Sequence, residues 1–169
     1  PADPANWQTI SGNGISPGMV SDVINISGKI ILRKNDSLFY QTASGWSFFY
    51  NDGWPIINSN VSENKLLLSE RKANGNARLV ILNEDGTVNR IIASSGAVSF
   101  PQKALIHTGQ TWVADLYAAL SAFGATDTYR SYKINSPQSI ASGQSAVVDN
   151  VFYTTAGSVN ESWNYQYNG

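Results

Sequence analysis

A unit of four short β-type runs, repeated along the chain, is the feature that most constrains how this sequence can fold. In residues 20–53, four runs rich in β-branched and aromatic residues are separated by turns at Gly28, Asn35 and Gly45, and the last run leads into Gly53. Runs of this kind, each closed by Gly, Asn, Asp or Ser, predict a four-stranded antiparallel meander. The pattern recurs along the chain at intervals of about 40 residues.

Four-stranded units at this period are typical of a β-propeller, because one unit cannot bury both of its faces and must stack on its neighbours. The sequence therefore predicts an all-β fold, a β-propeller of about four four-stranded antiparallel blades in a single domain. We assign residues 1–14 to an outer strand, residues 15–53, 54–96 and 97–137 to complete blades, and residues 138–169 to an incomplete blade.

Two features of the repeat leave alternatives open. Residues 115–123 contain Ala and Leu without a helix breaker and could form a helix, although their position in the repeat favours a hairpin. The last blade lacks one strand. Either residues 7–10 pair with residues 162–167 and close a four-bladed ring, or the chain is part of a larger propeller. In the second case its open sheet edges would favour self-association or pairing with the missing blades.

The composition limits which partners and which cellular location are expected. Lys and Arg total 11 against 12 Asp and Glu, a net charge of -1, so nucleic-acid binding is not expected. No apolar run reaches the roughly 18–20 residues that a membrane helix needs, so no transmembrane segment is predicted. Only 14% of the residues are charged and the chain begins at Pro1. This composition resembles that of secreted or cell-surface β-proteins, and we expect an extracytoplasmic location.

The candidate binding residues lie in the segments that should reach one face of a propeller, between blades and between the second and third strands. Trp54 is the foremost candidate, because an indole in a loop beside Gly53 and Pro55 can stack on a sugar ring or anchor a peptide. The alternative is that Trp54 packs over the end of its own blade. The predicted ligand-binding or partner-binding residues are Asp52, Trp54, Arg71, Lys72, Asp115 and Tyr117.

Several of these residues also have a purely structural interpretation. The doublet of Arg71 and Lys72 is either part of a solvated loop or a contact for an anion. Asp115, like Asp22 and Asp149, could belong to a ring of carboxylates. The offsets of the three residues within their blades differ, so we expect each of them to accept backbone N–H groups at a turn instead.

The sequence does not favour catalysis. His107 is the only histidine, and without Cys or a nearby carboxylate cluster it cannot supply the usual zinc ligands. A Ser-His-Asp arrangement would need partners that the sequence does not place. The chain contains no Gly-rich phosphate loop, nucleophile elbow or paired metal motif. We therefore expect no catalytic residue, no metal and no cofactor.

The repeat resembles a known propeller family. Residues 20–32 contain Val-x-Asp-Val-Ile and Gly-Lys-Ile-Ile-Leu, and residues 45–50 read Gly-Trp-x-x-Phe-Tyr. This pattern resembles the two-component regulator propeller repeat and is similar to the PorZ-like surface propellers of the Bacteroidetes type IX secretion system. In the second-strand position of that repeat, Leu-Trp-Val/Ile-Gly-Thr, residues 111–115 read Thr-Trp-Val-Ala-Asp and the other blades depart further. The resemblance implies an extracytoplasmic sensor or scaffold, tied in PorZ-like proteins to surface glycolipid attachment.

Together these observations predict a non-catalytic binding or scaffold module that recognises another protein or a surface glycan. One alternative is a lectin-like propeller that binds carbohydrate through Trp54. A second alternative is a propeller hydrolase or lyase that depends on His107. The three classes can be distinguished by whether protein binding, sugar binding or catalysis depends on these side chains.

Overall fold

The structure is a computed structural model that describes residues 14–16, 18–93, 96–126 and 128–132, and the backbone of residues 142–148, 151–156, 158–159 and 165–166. The chain divides into two compact units, Pro1–Lys133 and Ile134–Gly169. Each unit is described by itself. The described residues form strands, turns and bends and contain no helix, which confirms the all-β prediction.

Sheet I consists of β1 (Asp22–Ile26), β2 (Lys29–Lys34), β3 (Ser37–Thr42) and β4 (Gly45–Tyr50), in the order β1-β2-β3-β4. Every neighbouring pair is antiparallel. The β1–β2 turn has positive φ at Ser27 and at Gly28, as two-residue hairpins require when they follow the twist of their strands. The meander predicted for residues 20–53 is confirmed.

Sheet II repeats this arrangement with β5 (Ile56–Ser62), β6 (Lys65–Arg71), β7 (Ala77–Leu82) and β8 (Val88–Ile92). Its first turn again has positive φ at both residues, here Glu63 and Asn64. The next connection, residues 72–76, is longer and is closed by backbone hydrogen bonds that link Lys72 with Gly75 and Asn76.

Sheet III consists of β9 (Pro101–His107), β10 (Gln110–Asp115), β11 (Ala119–Phe123) and β12 (Tyr129–Tyr132), in the order β12-β11-β10-β9. Residues 115–123 therefore form a hairpin and not a helix. The reversal is stabilised by the carboxylate of Asp115, which accepts the N–H groups of Tyr117 and Ala118 at 2.9 Å. These bonds hold the backbone in a turn where helix propensity alone would allow another turn of helix.

The core lies between the sheets, and sheet II is buried on both faces. Successive side chains of a strand point to opposite faces, so an uninterrupted apolar run on β6 and β7 serves two interfaces. One cluster joins sheet II to sheet I through Leu66, Leu68, Val80 and Leu82, packed with residues such as Ile31 and Leu38. The second joins it to sheet III through Leu67, Leu79, Ile81 and Ile92, packed with residues such as Val113 and Phe123.

The first strands of the three sheets are neighbours. The hydroxyl of Ser59 on β5 donates to the carboxylate of Asp22 on β1. On the other side of β5, the side-chain amide of Asn60 donates to the carbonyl of Ala104 on β9 at 2.9 Å. Side-chain hydrogen bonds between β1, β5 and β9 therefore fix the order in which the sheets stack.

Each sheet has two ends, which we name by their connections. The turn edge carries the β1–β2, β3–β4, β5–β6, β7–β8, β9–β10 and β11–β12 connections. The loop edge carries the β2–β3, β4–β5, β6–β7, β8–β9 and β10–β11 connections. All connections between sheets I, II and III lie at the loop edge, where the backbone must cross from one sheet to the next.

The C-terminal unit contains two two-stranded antiparallel sheets. β13 (Ser142–Val148) pairs with β14 (Val151–Ala156), and β15 (Ser158–Val159) pairs with β16 (Tyr165–Gln166). These strands lie within residues 138–169, the segment assigned to an incomplete blade. The proposed pairing of residues 7–10 with residues 162–167 falls outside the described residues. Among the described residues, no helix is long and apolar enough to cross a membrane.

Candidate functional site

The predicted binding residues all lie at the loop edge, in two adjoining groups. The indole cluster contains the predicted residues Asp52, Trp54 and Lys72. The second group, the Asp115 cluster, contains the predicted residues Arg71, Asp115 and Tyr117. The first group belongs to the β4–β5 and β6–β7 connections, and the second extends from the end of β6 to the β10–β11 turn.

In the indole cluster, Trp54 lies against two cations of sheet II, Lys72 and Arg78. The Nζ atom of Lys72 is 4.2 Å and the Cζ atom of Arg78 is 4.0 Å from the centroid of the indole ring. Both distances are within the range of cation–π attraction. The indole is half-buried, so the alternative that Trp54 packs over the end of its own sheet describes part of what it does.

Arg78 connects the indole to a buried carboxylate. Its Nε donates to Glu70 Oε2 at 2.7 Å, and its terminal nitrogen forms an ion pair with Asp52. Glu70 and Arg78 are directly opposed on β6 and β7, which places the two groups in register. The guanidinium therefore holds the β4–β5 connection against sheet II and contacts the ring of Trp54.

Burial changes the acidity of this network. Glu70 is fully buried, and burial raises the pKa of its carboxyl from 4.5 to about 7, although the Arg78 hydrogen bond acts in the opposite direction. The Tyr50 hydroxyl lies 3.5 Å from Glu70 Oε1. Burial and the carboxylates of Asp52 and Glu70 raise the pKa of Tyr50 well above its ordinary value, so Tyr50 is a neutral donor.

Beside the indole is a cavity of about 280 Å³. It opens where the β4–β5, β6–β7 and β8–β9 connections meet, so three segments distant in sequence contribute to one wall. The wall combines an aromatic ring, an amide, a hydroxyl and small apolar side chains. The lining residues are Trp54, Gly75, Asn76, Ala77, Ala93, Val98 and Ser99. Such a mixture can hold a small polar ligand by contact and by directed hydrogen bonds.

Asp115 has a structural role in its cluster. Besides the N–H groups of Tyr117 and Ala118, its carboxylate accepts those of Ser99 and Phe100, at 2.8 and 2.7 Å. The side chain is buried, and both of its oxygens are occupied by backbone donors. The expectation that this aspartate satisfies turn amides is confirmed. Its assignment as a ligand contact stays a prediction, and these bonds leave it little capacity for one.

The rest of the Asp115 cluster is a stack of half-buried Arg71 and Phe100 with exposed Tyr117. The guanidinium carbon of Arg71 is 4.5 Å from the centroid of Phe100, whose ring lies 6.0 Å from that of Tyr117. Arg71 Nε also donates to the carbonyl of Ser99 at 3.3 Å, next to the cavity wall. Tyr117 is 72% exposed, so its ring is available to a partner.

Four residues of this edge were missed by the sequence analysis: Tyr50, Glu70, Arg78 and Phe100. Tyr50 and Arg78 stand at the ends of β-type runs, and Glu70 stands in the loop segment before Arg71, but none of them was singled out. A signal was present, because Glu70 directly follows an apolar run and Arg78 begins the next one, so an antiparallel hairpin can bring the two side chains together. A carboxylate at the buried end of a strand needs a paired cation, which could have identified Arg78.

His107 is exposed at the β9–β10 turn, on the turn edge and therefore at the opposite end of its strand from the cavity. In the described part of the chain, no group of three or more His, Asp or Glu side chains could hold a metal ion.

A second cavity, of about 200 Å³, lies on the face of sheet III that is turned away from sheet II. Its walls include Leu105, Trp112, Ala114 and Leu120. Asn60 and Lys103 also line this cavity, but its walls are mainly apolar and therefore offer a small polar ligand few hydrogen-bonding groups. The loop edge is thus the better candidate site.

Comparison with known proteins identifies no family for this chain. No protein-family model matches the chain, and a search of curated proteins finds no significant match.

Proposed function

We propose that this chain is a β-propeller-type, non-catalytic binding and scaffold module that recognises a surface glycan or a protein partner at its loop edge. Three stacked meanders with adjacent first strands support the propeller assignment, because this is how blades are arranged around a propeller axis. The blade count, a location outside the cytoplasm and the likeness to PorZ-like surface propellers belong to the same proposal.

The cavity beside Trp54 is the observation that carries the proposal. Its wall is assembled from three connections, and those connections are held by buried contacts and not by the ligand. Arg78 fixes the indole from sheet II, and the carboxylate of Asp115 holds the backbone of Ser99. Because the wall is already ordered, binding does not have to order a flexible loop, and the free-energy cost of binding is smaller.

A binding screen tests this function. The purified chain is applied to a glycan array and to immobilised bacterial surface glycans and envelope proteins, in parallel with Trp54→Ala. We expect at least one ligand whose affinity falls about 30-fold or more in the variant, as is usual for a central aromatic contact.

Phe48→Ala is the matched control, because Phe48 is an aromatic residue that is 61% exposed on sheet I away from the cavity. This variant should bind as the unchanged chain does. Equal loss of binding in both variants, or a ligand indifferent to Trp54, would contradict a site at the loop edge.

A further inference from the structure

The second cavity, on the outer face of sheet III, has a shape that follows from the strand register. Ala114 on β10 is directly opposed by Lys103 on β9 and by Leu120 on β11. Trp112, two residues earlier on β10, is directly opposed by Leu105 on β9. Residues two apart on a strand share a face of the sheet. The small side chain of Ala114 is therefore the floor of the cavity, and the four larger side chains are its walls.

One wall contains a buried hydrogen-bond donor without a partner. The Nε1 atom of Trp112 is buried and has no acceptor among the residues that the structure describes. The indole is oriented by the sheet itself, because its ring packs against Tyr132 of β12 with 5.3 Å between the centroids. A buried N–H group that lacks an acceptor costs free energy, and an acceptor supplied by a ligand would recover it.

The other polar groups of the walls do not supply that acceptor. The side-chain amide of Asn60 donates to the carbonyl of Ala104 at 2.9 Å, so these two groups are directed at each other. The ammonium of Lys103 is a further donor, and it has no ion pair or hydrogen bond within the described part of the chain. The second cavity thus combines mainly apolar walls with two donors that lack acceptors.

The register also brings the two donors within reach of one ligand. Lys103 and Trp112 are diagonal neighbours on adjacent strands and point to the same face of sheet III. Such neighbours have Cα atoms about 7–8 Å apart, a separation that long and aromatic side chains can bridge. A carboxylate has two oxygens and can accept a hydrogen bond from each donor, whereas a hydrocarbon would leave both donors without an acceptor.

We propose that the second cavity binds a small apolar carboxylate, with its oxygens toward Trp112 and Lys103 and its apolar body over Ala114. The body would contact Leu105 and Leu120, and it would remove from water a Leu105 side chain that is 46% exposed. The volume of about 200 Å³ lies below the roughly 300–1,000 Å³ of sites for drug-sized ligands, so the body is a single ring or a short acyl chain. This site does not depend on the function proposed for the loop edge.

Paired compounds that differ in charge test the proposal. Phenylpropanoate and hexanoate are titrated into the isotope-labelled full chain, each beside its uncharged amide, while NMR follows the indole N–H signal of Trp112. At least one carboxylate should shift this signal and bind about tenfold more tightly than its amide, with an advantage that shrinks as salt rises. The comparison of the two carboxylates shows whether the body is aromatic or aliphatic.

Variants then assign each part of the cavity. Lys103→Gln should remove most of the preference for the carboxylate over the amide. Trp112→Phe keeps a ring but removes the N–H group, and it should weaken the binding of both compounds about fivefold. Ala114→Leu fills the floor and should abolish the binding of both.

Arg130→Gln is the matched control for the charge. Arg130 is an exposed cation on the same face of sheet III, opposite Ala122, and it is not one of the residues that line this cavity. Its variant should keep the full preference for the carboxylate. Thermal unfolding followed by circular dichroism confirms that each variant is folded.

Three results would overturn the proposal. In the first, none of the compounds shifts the Trp112 signal at millimolar concentration. In the second, carboxylate and amide bind equally, which refutes the preference for an anion. In the third, the signal changes with protein concentration alone, which makes a second copy of the chain the occupant of this face. Each of these results leaves the screen with Trp54→Ala as a separate test of the proposed function.

Discussion

The two edges of the stacked sheets differ in how the chain reverses direction. At the turn edge, several hairpins reverse within two residues, and residues such as Ser27 and Gly28 or Thr108 and Gly109 adopt positive φ. At the loop edge, the backbone also crosses between sheets, and buried side chains such as Asp115 and Glu70 hold it in place. Loop-edge connections also contain residues with positive φ, such as Asn35 and Ala119, but the crossings between sheets depend in addition on side-chain hydrogen bonds. A binding site can form where side chains organise the connections in this way.

The largest effect should come from the carboxylate that supports the loop edge. Asp115→Ala removes the acceptor of four backbone N–H groups, in two separate connections, and leaves buried donors without partners. We expect a loss of about 3 kcal/mol in the free energy of unfolding, measured by urea denaturation.

Asp85→Ala provides the matched comparison at the turn edge. Asp85 also accepts a backbone N–H, from Thr87 at 2.9 Å, but this bond is exposed to water. Its variant should unfold at nearly the urea concentration of the unchanged chain. If the two substitutions cost the same, the proposed contrast between the edges is wrong.

The second prediction concerns pH. Because the pKa of Glu70 rises from 4.5 to about 7 on folding, the folded chain holds a proton that the unfolded chain releases between these values. The contribution of Glu70 to stability is therefore fully present below about pH 4.5, falls as the pH rises toward 7 and is constant above it. Urea denaturation at several pH values should show this decline for the unchanged chain.

Glu70→Gln should remove that part of the pH dependence. Glu84→Gln is the control, because Glu84 is an exposed glutamate at the turn edge that accepts a hydrogen bond from Ser27. It should retain the decline between pH 4.5 and 7. A decline of equal size in Glu70→Gln would show that the buried carboxylate of the indole cluster does not titrate in this range.

The smallest effect distinguishes two glycines of the turn edge. Gly86 and Gly109 both have positive φ, of 88° and 74°. A Cβ atom at Gly86 would lie 2.8 Å from the carbonyl oxygen of Phe49, whereas at Gly109 it would meet nothing within 4 Å. Gly109→Ala should therefore cost about 1 kcal/mol through backbone strain, and Gly86→Ala about 1 kcal/mol more through the contact.

Thermal unfolding of the two alanine variants, side by side, measures this difference. Equal midpoints would mean that the β7–β8 turn can move away from sheet I without loss, and that the turn edge is less tightly packed than the contact indicates.

Much of the fold could be predicted from local patterns, because strands and turns depend on nearby residues. The runs of β-branched and aromatic residues and the turn residues at Gly28, Asn35 and Gly45 were sufficient to place all of sheet I. The hairpin across residues 115–123 required the repeat as well, since its composition alone allowed a helix. In the C-terminal unit, β15 and β16 have two residues each, and strands this short leave almost no periodicity to detect.

The sequence placed the candidate residues in loops, but it did not predict the contacts between their side chains. The loop positions of Trp54 and Lys72 followed from the repeat, but the stacking of both Lys72 and Arg78 on one indole depends on how two connections approach each other. The buried position of Glu70 depends equally on sheet I covering sheet II. Contacts of this kind are set by packing between sheets, and the sequence of one strand does not contain them.

The most direct test of the central claim is to map, by backbone amide NMR, where the best-bound ligand of the glycan and protein screen contacts the chain. The account predicts that chemical-shift changes concentrate in residues 51–55, 72–77 and 98–100, and that the indole N–H of Trp54 is among the most affected. Changes concentrated in the turn edge, at residues 27–28, 63–64 and 108–109, with the Trp54 signal unmoved, would contradict it.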